Sequence, residues 1–188
     1  MKRIKTLEEL NMKFKYCPLC GNKLEIKDSW DEGGVPYCSK DDKMFFDTPK
    51  PCIVVAVIKN QEILLLKQSY IYKNSKVLVS GYVGIDETAE ETVYREVKEE
   101  TGIEIENIKY LGTDYVKGKE LLMITYMANY KDGDINKSSE VEWLDWSHIE
   151  DALCEMPEDE IGQKIVRKVL DEMNYKGEKA FRCDIKKK

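Results

Sequence analysis

The chain has 188 residues, 42% hydrophobic and 35% charged, and its 30 Lys+Arg against 36 Asp+Glu give a formal net charge of −6. That composition, with 11 Gly and 5 Pro, excludes collagen-like, low-complexity and wholly disordered classes. The acid excess disfavours a nucleic-acid partner, because such binding rests on neutralising phosphates with basic groups.

Residues 1–15 place Ile4, Leu7, Leu10 and Phe14 at helical spacing, an amphipathic segment. The opening MKRIKTLEEL has no apolar signal-peptide region. The longest apolar runs, Ile53–Ile58 and Ile63–Leu66, fall far short of the roughly 20 residues a bilayer-spanning helix needs. A cytoplasmic protein with no membrane partner is expected.

Residues 16–48 are rich in Cys, Gly, Asp and Lys with a Gly33-Gly34 turn signal, which predicts a small loop-rich module. The six cysteines are 17, 20, 38, 52, 154 and 183, and a reducing cytosol disfavours a disulfide framework. Cys17-Pro18-Leu19-Cys20-Gly21 is a zinc-knuckle pattern, two thiolates two residues apart beside a glycine that lets backbone amides turn toward sulfur. Cys38-Ser39-Lys40-Asp41 stands where a second Cys-x-x-Cys is expected, so Cys17, Cys20, Cys38 and Asp41 are the candidate Zn²⁺ ligands. The competing reading is a degenerate ribbon that has lost its metal. Zinc is favoured because little else holds a core-poor module of this size together. Cys52, Cys154 and Cys183 read as ordinary thiols.

Pro49-Lys50-Pro51 marks a boundary, and residues 49–175 form the main domain. Cys52–Ile58 and Glu62–Lys67 predict a hairpin joined by Lys59-Asn60-Gln61. Lys76–Ser80 predicts another strand, ending at Gly81. A helix follows, opened by the Thr88/Glu91 capping box and closed by Gly102. Ile108–Val116, Leu121–Tyr130 and Glu140–Trp146 read as strands, Ala152–Leu153 as a short helix, and Ile161, Ile165, Val166, Val169, Leu170 and Met173 as an amphipathic helix. The tail, 176–188, is basic. Strands, helix, strands, helix predict a mixed α/β sandwich rather than a regular βαβ array.

Ala89, Val93 and Val97 recur every four residues, and a helix continuing that stripe places Glu100 where a hydrophobe belongs. Glu96, Glu99 and Glu100 fall within about 100° of arc. Like charges at this spacing repel, and an unpartnered carboxylate taken from water costs several kcal/mol or takes up a proton. A hard divalent cation, Mg²⁺ or Mn²⁺, removes the conflict and joins carboxylates to substrate phosphates. Arg95 can pin one carboxylate. The bland alternative is a solvated acidic face.

Gly81, five residues, Glu87, seven residues, then Arg95-Glu96-Val97-Lys98-Glu99-Glu100-Thr101-Gly102-Ile103 resembles the signature of the Nudix hydrolase family at every fixed position. The resemblance implies a loop–helix–loop inside an α/β/α sandwich with a mixed sheet, and Mg²⁺- or Mn²⁺-dependent hydrolysis of a nucleoside diphosphate derivative. By position, Glu96, Glu99 and Glu100 become metal ligands, Arg95 and Glu87 supporting partners, and Gly81 and Gly102 structural residues. Glu99 is the first candidate base. Glu140, just before the last strand, is the second candidate or an extra ligand, its plain alternative being a surface acid.

The order of cysteine module and signature resembles the NADH pyrophosphatase branch of the family, as does Gly81-Tyr82-Val83. That branch carries a proline-rich specificity segment where this chain has Thr113–Lys119, and Gly84 and Asp86 replace the Glu and Gly usual at those positions. The expected reaction is cleavage of an NADH-like, NAD-like, ADP-ribose-like or dinucleotide substrate to release a mononucleotide. The alternative is a non-catalytic nucleotide-sensing module. Related enzymes are often homodimers, the quaternary state the resemblance suggests. Tyr70, Tyr72 and Tyr82 are candidates to stack on a base, though covering a sheet edge is the expectation for at least two. Trp143 and Trp146 read as core, and His148 as a surface residue.

Overall fold

A computed structural model describes residues 14–30, 32–68 and 70–175. The amphipathic segment expected before Phe14 and the basic tail lie outside them, as does Cys183. The chain divides into two compact units between Pro49 and Lys50.

In the first unit β1 (Glu25–Ser29), β2 (Gly33–Cys38) and β3 (Lys43–Met44) form an antiparallel sheet in that order. The β1–β2 turn closes with Ser29 opposite Gly33, whose φ of 72° is open to glycine at no steric cost. Its core is little more than Cys17, Leu24 and Cys38, with Phe14, Cys20 and Phe45 against them.

The second unit is built on β4 (Lys50–Lys59), whose residues from Cys52 to Ile58 are all buried. Its odd positions Ile53, Val55 and Val57 join one core cluster and its even positions Val54, Ala56 and Ile58 another. Such a run, apolar on both faces, belongs at the centre of a layered sandwich. The six-stranded sheet runs β7 (Glu104–Val116), β8 (Leu121–Asp132), β4, β5 (Glu62–Lys67), β9 (Trp143–His148), with β6 (Val79–Tyr82) pairing β4. β4 and β8 are parallel and the other pairs antiparallel, so the sheet is mixed. Helix α1 (Ala89–Thr101) covers one face through Val93 and Val97. Helices α2 (Ala152–Glu155) and α3 (Glu160–Glu172) cover the other through Leu153, Ile165, Val166 and Val169. This is an α/β/α sandwich.

Several elements differ from expectation. The hairpin around Asn60 pairs only Ile58 with Ile63 and Lys59 with Glu62. Beyond that β5 pairs with β9 while β6 takes Cys52–Val55 of β4, so the two arms of the hairpin splay. Pro51 sits inside β4, near its start. β7 starts at Glu104 rather than Ile108 and carries three register irregularities. Trp143 and Trp146 are half-buried, and three residues apart on a strand they join opposite core clusters. Cys52 is a buried free thiol, whereas Cys154 is disulfide-bonded rather than free. Among the described residues no helix is long and apolar enough to cross a membrane.

Candidate functional site

Helix α1 starts where Thr88 Oγ1 accepts from Glu91 N at 3.2 Å and Glu91 Oε2 accepts from Thr88 N at 2.8 Å, a complete capping box. It ends at Gly102, whose φ of 77° is left-handed and whose N–H donates to Lys98 O. Its next carbonyls are taken by the loop after β8: Asn136 N donates to Thr101 O at 2.8 Å and Ser138 N to Glu100 O at 3.1 Å. Helix ends leave such carbonyls without partners of their own, and here they anchor the segment that carries Glu140.

Glu100 continues the Val93–Val97 stripe into the interior and is only 8% exposed. Oε1 accepts from Gln68 Nε2 at 3.1 Å, and Oε2, buried, has no hydrogen-bond partner among the described residues. Burial, and after it the charges of Glu96, Glu140 and Glu99, push this carboxyl up to about 7 against the pull of the Gln68 bond. Glu96 is also raised by burial, against the Arg95 guanidinium that lowers it.

Arg95 is the hub of the loop before the helix. Nε and Nη2 donate to the two oxygens of Glu87 at 2.7 and 2.9 Å, a bidentate pair, and Nη2 also reaches Tyr82 O at 3.1 Å. Nη1 donates to Glu96 Oε1 at 2.6 Å and Glu99 Oε2 at 3.0 Å. The Arg95 bonds hold Glu87 down at about 2, and Glu87 in turn keeps the guanidinium firmly charged. Glu87 Oε2 accepts from Gly84 N at 2.9 Å, and Asp86 supplies the left-handed residue of this loop at φ 60°, a conformation Asp tolerates better than most residues. A Cβ on Gly81 would lie 1.9 Å from the carboxyl carbon of Glu96, so glycine lets the carboxylate lie against β6.

The three acids thus share one side of α1, but their carboxylates do not converge: Glu96 and Glu99 lean on Arg95 while Glu100 turns to Gln68. Glu96, Glu100 and Glu140 line one cavity of about 510 Å³, within the range of about 300–1,000 Å³ usual for small-molecule sites. Its wall includes Tyr70, Tyr72 and Tyr82, so all three border the cavity. Cys52, Lys119 and Asp159 also line it, and with Gln68 they are residues that sequence reasoning missed. No spacing rule points to them; they come together only through the splayed strands and the β7–β8 turn. His148 is exposed, as expected. The donors suit a hard cation: Glu100 offers an unpartnered buried oxygen, and Glu96 a carboxylate made costly by burial. A divalent ion would supply the charge that Glu100 lacks and would add to what Arg95 gives Glu96.

In the first unit Cys17, Cys20, Cys38 and Asp41 place one ligand atom each within 4.8 Å of one another, the one such group among the described residues. Asp41 Oδ2 accepts from Cys17 Sγ at 3.1 Å and Cys38 Sγ at 3.2 Å, and the Cys20 and Cys38 sulfurs are 3.6 Å apart. That last separation is near the roughly 3.7 Å edge of a tetrahedron with Zn–S bonds of about 2.3 Å. Leu19 N and Asp41 N point at Cys17 and Cys38 sulfurs, both at 3.4 Å. The thiols hold Asp41 down at about 2, Cys20 contributing most, and the same carboxylate pushes Cys20 up to about 12. The donor set fits zinc, which accepts a carboxylate beside thiolates.

An α/β/α sandwich whose glycine-led loop and acidic helix border a ligand-sized cavity is the architecture of Nudix proteins. Residues 48–171 match the NUDIX domain, and the chain belongs to that family. It is 32% identical over 130 residues to the NAD-capped RNA hydrolase NudC of Klebsiella pneumoniae (strain 342), covering 69% of this chain and 49% of that protein. Over 168 residues it is 26% identical to the NAD-capped RNA hydrolase NudC of Vibrio atlanticus (strain LGP32), covering 87% and 60%. The chain therefore spans about half to three-fifths of the length of these relatives. The crystal structure of a Nudix hydrolase from Nitrosomonas europaea matches the fold with a TM-score of 0.65 at 19% identity, covering 86% of this chain and 91% of that one.

Proposed function

We propose that the chain is a Mg²⁺- or Mn²⁺-dependent pyrophosphohydrolase acting in the cytoplasm on a nucleoside diphosphate derivative of the NAD(H), ADP-ribose or dinucleotide type, and releasing a mononucleotide. The observation that carries this reading is Glu100, a carboxylate in the hydrophobic stripe with one oxygen unpartnered at the edge of a cavity large enough for a nucleotide. Glu96, Glu99 and Glu100 would hold the cation, which supplies charge neutralisation of the diphosphate and acidification of the attacking water.

The chain's own residues do the rest. Glu99, the most exposed of the three acids, takes the proton of a water attacking phosphorus as the bridging P–O bond breaks and the leaving phosphate departs with its electron pair. Arg95 fixes Glu96 and Glu99 against Glu87, and the tyrosines border the space for the nucleoside. Cys17, Cys20, Cys38 and Asp41 would hold a structural zinc in the first unit.

The test is incubation of the purified chain with Mg²⁺ or Mn²⁺ and, separately, NADH, NAD, ADP-ribose, dinucleoside polyphosphates and NAD-capped RNA. Release of a mononucleotide, or of 5′-monophosphate RNA, is expected from at least one. Binding without turnover of any of them would replace the enzyme by a nucleotide-sensing protein.

A further inference from the structure

Gln68 directly follows β5 and is 2% exposed. Its side chain reaches across 32 positions of sequence to Glu100 Oε1. Its backbone carbonyl accepts from Ile71 N at 2.9 Å and Tyr72 N at 3.3 Å, opening the turn that sets Tyr70 and Tyr72 into the cavity wall. One buried residue thus joins the substrate wall to an acid of α1.

The manner of holding differs among the acids. Glu96 and Glu99 are held by a guanidinium, whose positive charge already offsets theirs and competes with any cation. Glu100 is held by a neutral amide, which fixes the carboxylate without supplying charge. Its second oxygen is buried and has no hydrogen-bond partner among the described residues. An amide is also the donor that stays the same whether or not an ion is bound, whereas a lysine in its place would repel one.

We infer that Gln68 is a positioning residue, holding one oxygen of Glu100 so that the other is presented as a ligand to the divalent cation. This rests on the reading of Glu100 as a metal ligand. Outer partners of metal ligands usually contribute about 10–100-fold in affinity.

The experiment is a Mn²⁺ titration without substrate, following free Mn²⁺ by electron paramagnetic resonance, on the full chain and on Gln68→Met, Gln68→Asn and Glu100→Gln, with the melting temperature of each chelated protein. Gln68→Met keeps the length and loses the donor, and is expected to weaken Mn²⁺ binding about 10–100-fold while the chelated protein still melts cooperatively. Gln68→Asn keeps the amide but shortens its reach, and is expected to weaken binding in the same direction; it decides the matter if Gln68→Met fails to fold. Affinity within twofold of the unmodified chain in the folded variants would overturn the inference and leave the metal reading standing. Equal Mn²⁺ binding by the unmodified chain and Glu100→Gln, or no binding by either, would overturn both.

Discussion

The two acidic-donor clusters of this chain reach their ligands by opposite routes. In the cysteine unit four donor atoms already lie within 4.8 Å of one another around almost no hydrophobic core. In the sandwich the carboxylates sit on a helix seated on one large cluster, yet Arg95 draws Glu96 and Glu99 to itself while Gln68 holds Glu100 apart from them. Where the core is small, the ligands themselves have to organise the fold. Where the core is large, the fold can hold acids apart in a state that is poised for an ion and does not depend on one.

Cys38→Ser is the sharpest way to break the contrast. It is expected to abolish zinc content by elemental analysis and to remove amide protection from β1–β3, since structural zinc is worth on the order of 10 kcal/mol in small modules. Hydrogen exchange of β4 should stay unchanged, and retention of β1–β3 protection without zinc would show that the unit does not need the metal. In the sandwich, Glu99→Gln is expected to lower kcat by roughly 10²–10⁴-fold with the melting temperature held, because Glu99 is exposed and, among the described residues, bonded by Arg95 alone. A loss under tenfold, with a larger one in Glu140→Gln, would move the base to Glu140.

A third measurement concerns protons. In chelated protein Glu100 is raised from 4.5 to about 7, chiefly by burial. Below the unfolded value it is neutral folded or unfolded and costs nothing. Above the folded value it is ionised in both states, and its burial destabilises the fold by roughly 3 kcal/mol at about 1.4 kcal/mol per pH unit. Chelated protein should therefore lose stability between about pH 4.5 and pH 7 relative to Glu100→Gln in urea unfolding, and level off above that. Parallel curves would remove the burial argument. The smallest effect is that of Thr88→Ala, which breaks the capping box and should cost about 1 kcal/mol in the same assay without altering kcat.

Much of this was legible in sequence because it is local. The Thr88–Gly102 helix, its caps and the misplaced Glu100 follow from spacing alone, as does the Cys17–Cys20 knuckle. The mixed α/β sandwich follows from the order of the elements, and its α/β/α layering from the family resemblance. What could not be read depends on long-range pairing. The hairpin at Asn60 looked complete, but β6 takes the edge of β4 and Val77 bridges to Leu66 of β5, so the arms part. Gln68 meets Glu100 only across that rearrangement, and Lys119 reaches the cavity only from the distant β7–β8 turn. The bulges that let β7 begin at Glu104 answer to its neighbour β8 and not to its own composition.

The loop after β8 is sewn into the last turn of α1 through Asn136 and Ser138, and Glu142 N donates to Lys67 O. Glu140 therefore rides on a short bridge whose footings are a helix terminus and the end of β5. Adding or deleting residues between 134 and 140 would disturb the acids of α1 before it reshaped any specificity. An engineer grafting a new recognition loop from a related enzyme would do better to transplant Thr101–Glu142 as one cassette.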